Sequence, residues 1–153
     1  RILKIVPVSA TPSHRKIWEN QYFYIGEYIN DASDTDNDGL ADGIEYAWGF
    51  SPKARNSLSD GLTVDYGGPA GGNPFVATFR RDPLAIDVTY ELQASSDMVT
   101  WTTLCQSIGG ATPTGSGFVS ESVISGQSPY RNVIVRDTAP AAAKRFVRLK
   151  VKR

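Results

Sequence analysis

The sequence predicts a mainly β protein: an antiparallel β-sandwich preceded by a short helical segment that carries one acidic loop. Three observations carry this expectation. From Phe75 onward the chain divides into six strand-like runs separated by Gly, Pro, Ser and Asp turns. Between Asn30 and Phe50 stand six acidic residues, Asp31, Asp34, Asp36, Asp38, Asp42 and Glu45, with no Lys or Arg among them. A length of 153 residues, 41% apolar and 21% charged, is enough for one well-filled core, or for one domain with a small satellite.

The elements follow in order. Residues 1–10, RILKIVPVSA, read as a strand apolar on both faces, and Pro7, which lacks an N–H, argues for an edge or for a partly unpaired strand. Residues 11–56 read as helix, acidic loop, helix. Ser13 caps a first helix over about 14–29, with Ile17, Trp18, Phe23, Ile25 and Ile29 facing inward. A second, short helix covers about 42–49, buries Leu40, Ile44, Ala47 and Trp48 and ends at Gly49, before Ser51-Pro52. Residues 57–74 form a linker, with the Gly- and Pro-rich stretch 67–74 at its end and room for a short strand from Leu62 to Tyr66. Residues 75–153 form the sandwich, in runs FVATFRR, VTYELQASS, WTTLCQSI, GFVSESVI, RNVIVRDT and KRFVRLKVKR. Val88, Tyr90, Leu92 and Ala94 share one face, and Val147, Leu149 and Val151 oppose Arg148, Lys150 and Lys152. Short alternating strands of this kind make an immunoglobulin-like sandwich. Trp101, after the connection Asp97–Thr100, is expected as a core anchor.

Charge and composition exclude several classes. The 16 basic and 16 acidic residues sum to zero, which argues against a nucleic-acid binder driven by bulk charge. No apolar run is long enough to span a membrane. A single Cys, Cys105, rules out an internal disulfide framework, and its alternating strand marks it as a small buried hydrophobe. The single His, His14, is expected at the surface. A chain beginning at Arg1 is expected to be a processed or excised piece whose signal peptide is gone. The zero sum also hides a polarity. Against the six acids at 30–50, the stretch from Arg131 to Arg153 holds eight basic residues and one acid, Asp137. We read that basic end as the solvated face of an edge strand. The alternatives are an anionic polymer, a membrane surface, or the acidic loop of another subunit.

The acidic loop is the sharpest motif. Asp34 to Glu45 matches the 12-residue calcium loop of an EF-hand at every diagnostic position. Asp34, Asp36 and Asp38 take positions 1, 3 and 5, and Gly39 makes the sharp turn at 6. Leu40 offers its main-chain carbonyl at 7, Asp42 acts through a water at 9, and Glu45 binds with both oxygens at 12. Side chains two apart in a turning loop converge on one point, and a hard divalent cation wants six to eight oxygens there. Five carboxylates in one loop otherwise repel, at roughly 1 kcal/mol per close pair in water and about 4 near a protein surface. Calcium is the expected ion, bound as a static structural staple, since magnesium holds its own waters.

The loop is similar to the calcium loops of dockerin and thrombospondin type 3 repeats, which share its D-x-D-x-D-G-x-x-D core. Dockerins carry two such loops and this chain carries one. A longer stretch resembles the C-terminal modules of large secreted proteins from planctomycete- and verrucomicrobia-type bacteria. The matching residues are Trp18, Phe23, DTDNDGLADGIEYAWGFSP (34–52), FRR (79–81), TYELQASSDMVTW (89–101) and RFVRLKV (145–151). The resemblance implies a calcium loop ahead of a small β-sandwich, in an extracellular module without catalysis.

No nucleophile motif, phosphate loop or His–carboxylate pair marks an enzyme, and Asp87, Glu91 and Glu121 are only unmarked acids. The seven Tyr are expected to half-bury at the seam between helices and sandwich, with sugar stacking as the alternative. The function expected is therefore a non-enzymatic, calcium-stabilised structural module, secreted or at the cell surface. Residues 1–10 either complete the chain's own sandwich or add as a strand to a neighbouring copy, and in the second case the module self-associates into a filament or surface matrix. The alternative is a carbohydrate-binding or adhesive accessory module of a larger secreted protein.

Overall fold

The computed structural model describes residues 11–24, 27, 30–66, 74–140 and 144–153. The strand expected over residues 1–10 lies outside them. Seven antiparallel strands form two sheets, with three short helices ahead of and beside them. The fold is the mainly β sandwich that the six alternating runs imply. The helices are α1 (His14–Tyr22), α2 (Asp42–Trp48) and α3 (Leu58–Gly61). The strands are β1 (Leu62–Asp65), β2 (Val76–Arg81), β3 (Thr89–Ser95), β4 (Thr102–Ile108), β5 (Phe118–Val123), β6 (Arg131–Arg136) and β7 (Phe146–Lys152). One sheet runs β1-β2-β6-β5 and the other β4-β3-β7. The stretch 57–74 supplies α3 and β1, and β1 pairs with β2 from Leu62↔Phe79 to Asp65↔Val76. Among the described residues no helix is long and apolar enough to cross a membrane.

The period-2 pattern explains the core. Ala77 and Phe79 of β2 pair with Val135 and Val133 of β6, and all four are fully buried. Across the sandwich Tyr90, Leu92 and Ala94 of β3 are buried, paired with the half-buried Val151, Leu149 and Val147 of β7. One departure matters. The register between β3 and β4 shifts after Leu92, with Leu92 opposite Cys105 and Gln93 opposite Thr103. Leu104 is the extra residue of this bulge, so two successive side chains, Leu104 and Cys105, both turn inward. The bulge leaves Trp101 outside the core, contrary to expectation. It is half-buried, its ring lies 4.0 Å under the Arg148 guanidinium, and its indole N–H donates to the Met98 carbonyl at 3.2 Å.

The helices dock on one end of the sandwich. Ser13 Oγ accepts from the Lys16 N–H at 3.2 Å and starts α1 as expected. The helix ends at Tyr22 rather than near 29, because Phe23 is extended at φ −122. It buries Arg15 and Trp18, while Ile17 is exposed. The Arg15 guanidinium lies 4.8 Å from the Trp18 ring and 4.7 Å from the Tyr46 ring, and it pairs with Glu19 and Asp31. Trp18 Nε1 donates to the Phe50 carbonyl, and Tyr46 Oη donates to Asp87. His14 is not a free surface residue: its Nε2 lies 2.8 Å from the buried Asp82 carboxylate, a His–carboxylate pair made between residues 68 apart in sequence. That clamp, with the Asp82 N–H and Tyr90 Oη both donating to the Ala47 carbonyl, fixes α1 and α2 to the ends of β2 and β3.

Candidate metal centre

The loop from Asp34 to Leu40 is a nest of backbone-to-carboxylate bonds. Asp34 accepts from the Asp38 N–H at 3.1 Å and the Gly39 N–H at 3.0 Å. Asp38 accepts from the Leu40 N–H at 2.7 Å. Gly39 sits at φ +95, where a side chain would be strained. These bonds gather Asp34, Asp36 and Asp38 so that one carboxylate oxygen from each lies within 4.8 Å of the others. Oxygens around one cation at ordinary bond lengths are up to about 5 Å apart. The three Asp therefore form an acidic cluster that can hold a metal ion.

Glu45 stands on α2, one helical turn from where the loop enters it. It is fully buried, and neither of its carboxylate oxygens has a hydrogen-bond partner. Both carboxylate oxygens of Asp36 also lack one. Burial first, and then the charges of Asp36, Asp38, Asp42 and Asp34, push the Glu45 carboxyl up to about 8. Burial and the neighbouring Asp38 and Asp34 push Asp36 upward as well. A buried acceptor without a donor costs about 1–3 kcal/mol, and more when charged. These four unpartnered oxygens suit a positive ligand, although the group whose oxygens lie within 4.8 Å of one another is the three Asp alone, without Glu45.

The remaining loop residues have other work. Asp42 is buried and turns both oxygens to Thr35, accepting from its N–H at 2.9 Å and its Oγ1 at 2.7 Å. It closes the loop across positions 2 and 9 of the motif. The Leu40 side chain enters the core, and its carbonyl takes part in none of the described backbone hydrogen bonds.

Two contributors lie outside the twelve-residue pattern. The Asn56 N–H donates to Asp38 at 2.6 Å, and Arg55 Nε donates to the Asp36 carbonyl at 3.2 Å. The segment between α2 and α3 thus folds back on the acidic loop, and Asn56 Oδ1 is buried there without a partner. Nothing in the spacing of the motif marks these residues.

The acids considered for catalysis are engaged. Asp87 accepts from Tyr46, Glu91 pairs with Lys152, and Glu121 pairs with Arg81. Comparison with known protein families, curated proteins and solved structures finds no match.

Proposed function

We propose that the chain is a non-enzymatic, calcium-stabilised structural module of a secreted or cell-surface protein. The observation that carries this is Glu45, buried with both oxygens unpartnered and beside three carboxylates that share one space. Calcium fits the donor set better than zinc or magnesium. The set is all oxygen, with no nitrogen or sulfur, and magnesium demands a tighter octahedron and keeps its waters. Asp34, Asp36, Asp38, Glu45 and the Leu40 carbonyl would hold the ion, with Asp42 bracing the loop or acting through a water. At 100 times its dissociation constant the ion would add about 2.7 kcal/mol of stability. Outside cells, where calcium is abundant, a weak site of about 10⁻⁴–10⁻³ M suffices.

Calorimetric titration tests the reading. One calcium per chain should bind, magnesium should bind at least tenfold more weakly, and Glu45→Gln should abolish the signal. No heat with wild-type protein would contradict it.

Copies joined by strand addition would make such a module a filament or matrix subunit. Two features support this. The outer edge of β7 has no partner strand among the described residues. An apolar groove of about 280 Å³ runs beside it, lined by Leu40, Ile44, Leu58, Leu62, Leu149 and Val151. The donated strand would be residues 1–10 of a neighbouring copy. Negative-stain images of the full chain should show polymers, and deletion of residues 1–10 should abolish them. Monomers in both samples would sink this assembly. The second reading, a carbohydrate-binding accessory module, is favoured by one feature of the sandwich, the surroundings of Arg80.

A further inference from the structure

Arg80 on β2 is 7% exposed, yet no carboxylate lies within ion-pair distance of it among the described residues. The other buried arginines differ: Arg15 pairs with Glu19 and Asp31, and Arg81 pairs with Glu121. Arg80 instead donates from Nε to the Trp48 carbonyl and from Nη1 to Gln127 Oε1 at 2.7 Å. Its guanidinium lies 4.9 Å from the Phe50 ring centre and 4.4 Å from that of Tyr130. Nη2 takes part in none of the described hydrogen bonds. A buried guanidinium without a counter-ion is costly, and one held by its flanks with an end left over is preorganised for an anion.

Arg80 borders open space on two sides. A cleft of about 460 Å³ is lined by Ser51, Asn56, Gln127 and Tyr130 together with Arg80 and Asp60. A smaller one of about 130 Å³ is lined by Ser59, Thr63, Thr78 and Asn132, again with Arg80 and Asp60. Arg80 and Asp60 therefore line two hollows whose walls combine hydroxyls and amides with the apolar Phe50, Ala54 and Leu62. Asp60 Oδ2 is held by the Ser57 N–H and hydroxyl, so its carboxylate is fixed in place as an acceptor.

We propose that this trough binds an acidic saccharide, with the carboxylate of a uronic-acid residue on the free end of the Arg80 guanidinium. The chemistry selects the class. One cation among many amides and hydroxyls matches one carboxylate among many hydroxyls. An acidic peptide would call for several cations, and a neutral sugar would leave Arg80 as it is. Asp60 can accept from a sugar hydroxyl, which a second ligand carboxylate could not offer. The site shares no carboxylate with the acidic loop; Asn56, whose N–H donates to Asp38, is the one residue that borders both.

The test is an amide-resolved NMR titration of the full chain with trigalacturonate in calcium-containing buffer, with galactotriose and a glutamate-rich peptide as comparators. Trigalacturonate should shift Phe50, Ser51, Asn56, Gln127 and Asn132, and should bind at least tenfold more tightly than galactotriose. Arg80→Lys keeps the charge but loses the Nη2 end together with the flanking bonds that aim it, and should weaken binding at least tenfold. Gln127→Ala lies at the exposed rim, so it reads the site even where the Arg80 variant fails to fold, and should weaken binding severalfold. Four results would overturn the proposal. They are no shifts at millimolar ligand, shifts confined to residues 34–45 (the saccharide competing for the loop's cation), equal binding of galactotriose or tighter binding of the peptide, and unchanged affinity in Gln127→Ala and in any folded Arg80→Lys.

Discussion

Asp97 shows how a single residue organises a turn. It follows β3, and its Oδ1 accepts from the Val99 N–H at 2.8 Å, the Thr100 N–H at 2.7 Å and Ser95 Oγ at 2.8 Å. These bonds favour the charged form and hold its carboxyl down at about 2. The folded value lies below the unfolded value of 3.8, so the contribution to stability is present above about pH 3.8. It is lost as pH falls through about 2. A carboxyl chemical-shift titration should therefore place the Asp97 midpoint near pH 2. Asp97→Ala should lower the melting temperature at pH 7, and the difference should vanish in strong acid. Met98 at φ +63 completes the same turn. At this scale the sequence is legible where partners are local. The alternating acids of 34–45 can be read because their ligand spacing is itself the signal. Arg80, Asn56 and the His14–Asp82 clamp cannot, because each depends on a partner 18 to 68 residues away.

Elements meet at two points where a small change should be costly. Arg81, at the end of β2, is 2% exposed and reaches Glu121 of β5, Ser107 of β4 and the Gly110 carbonyl, joining both sheets through one guanidinium. Removing one partner of a buried pair leaves an uncompensated charge, at about 3–5 kcal/mol. Glu121→Ala should show a loss of that size in urea unfolding, and the double variant with Arg81→Met should recover part of it. A loss under about 1 kcal/mol would mean that the pair is solvated. At the end of α2, Gly49 sits at φ +70, and a Cβ there would come within 2.0 Å of the Tyr130 ring. Left-handed backbone alone costs a non-glycine residue about 1–2 kcal/mol. Gly49→Ala should exceed that in thermal unfolding, because the ring must also move. The strands were legible from their period of 2, and Gly49 from its place after an apolar helix. The bulge at Leu104 was not, since an inserted residue changes parity without changing composition, and that parity is what takes Trp101 out of the core. The shortness of α1 was also hidden, because Phe23 and Tyr24 continue an apolar pattern without continuing the helix.

Across the whole molecule, the two charge poles of the sequence meet within one chain. Arg153 reaches Asp31 at 2.8 Å, Lys152 pairs with Glu91, and Arg145 makes a two-point bridge to the buried Asp137. Arg148 donates to Gln93 and covers Trp101. Arg145, Arg148, Lys152 and Arg153, four of the eight basic residues of that end, are thus occupied by partners within the chain, which leaves less of it for an outside polyanion. Arg153 also carries a link from the sandwich to the acidic segment, since Asp31 bridges it to Arg15 of α1, and the Asp31 carbonyl accepts from the Gly43 N–H. The acidic loop is tied a second time through Asn56 to the stretch that enters β1. A cation held by Asp34, Asp36, Asp38 and Glu45 would therefore stabilise α1, α2 and the start of the first sheet together. The thermal melt of the full chain, in millimolar calcium and in excess chelator, tests this most directly, with Glu45→Gln alongside. We predict a single transition that falls by several degrees in chelator for the wild type. Glu45→Gln should be indifferent to chelator, and in chelator at pH 7 it should melt above the wild type, because the wild-type carboxyl, pushed up to about 8, must take up a proton to be buried. A wild-type melting temperature unchanged by chelator would contradict the account.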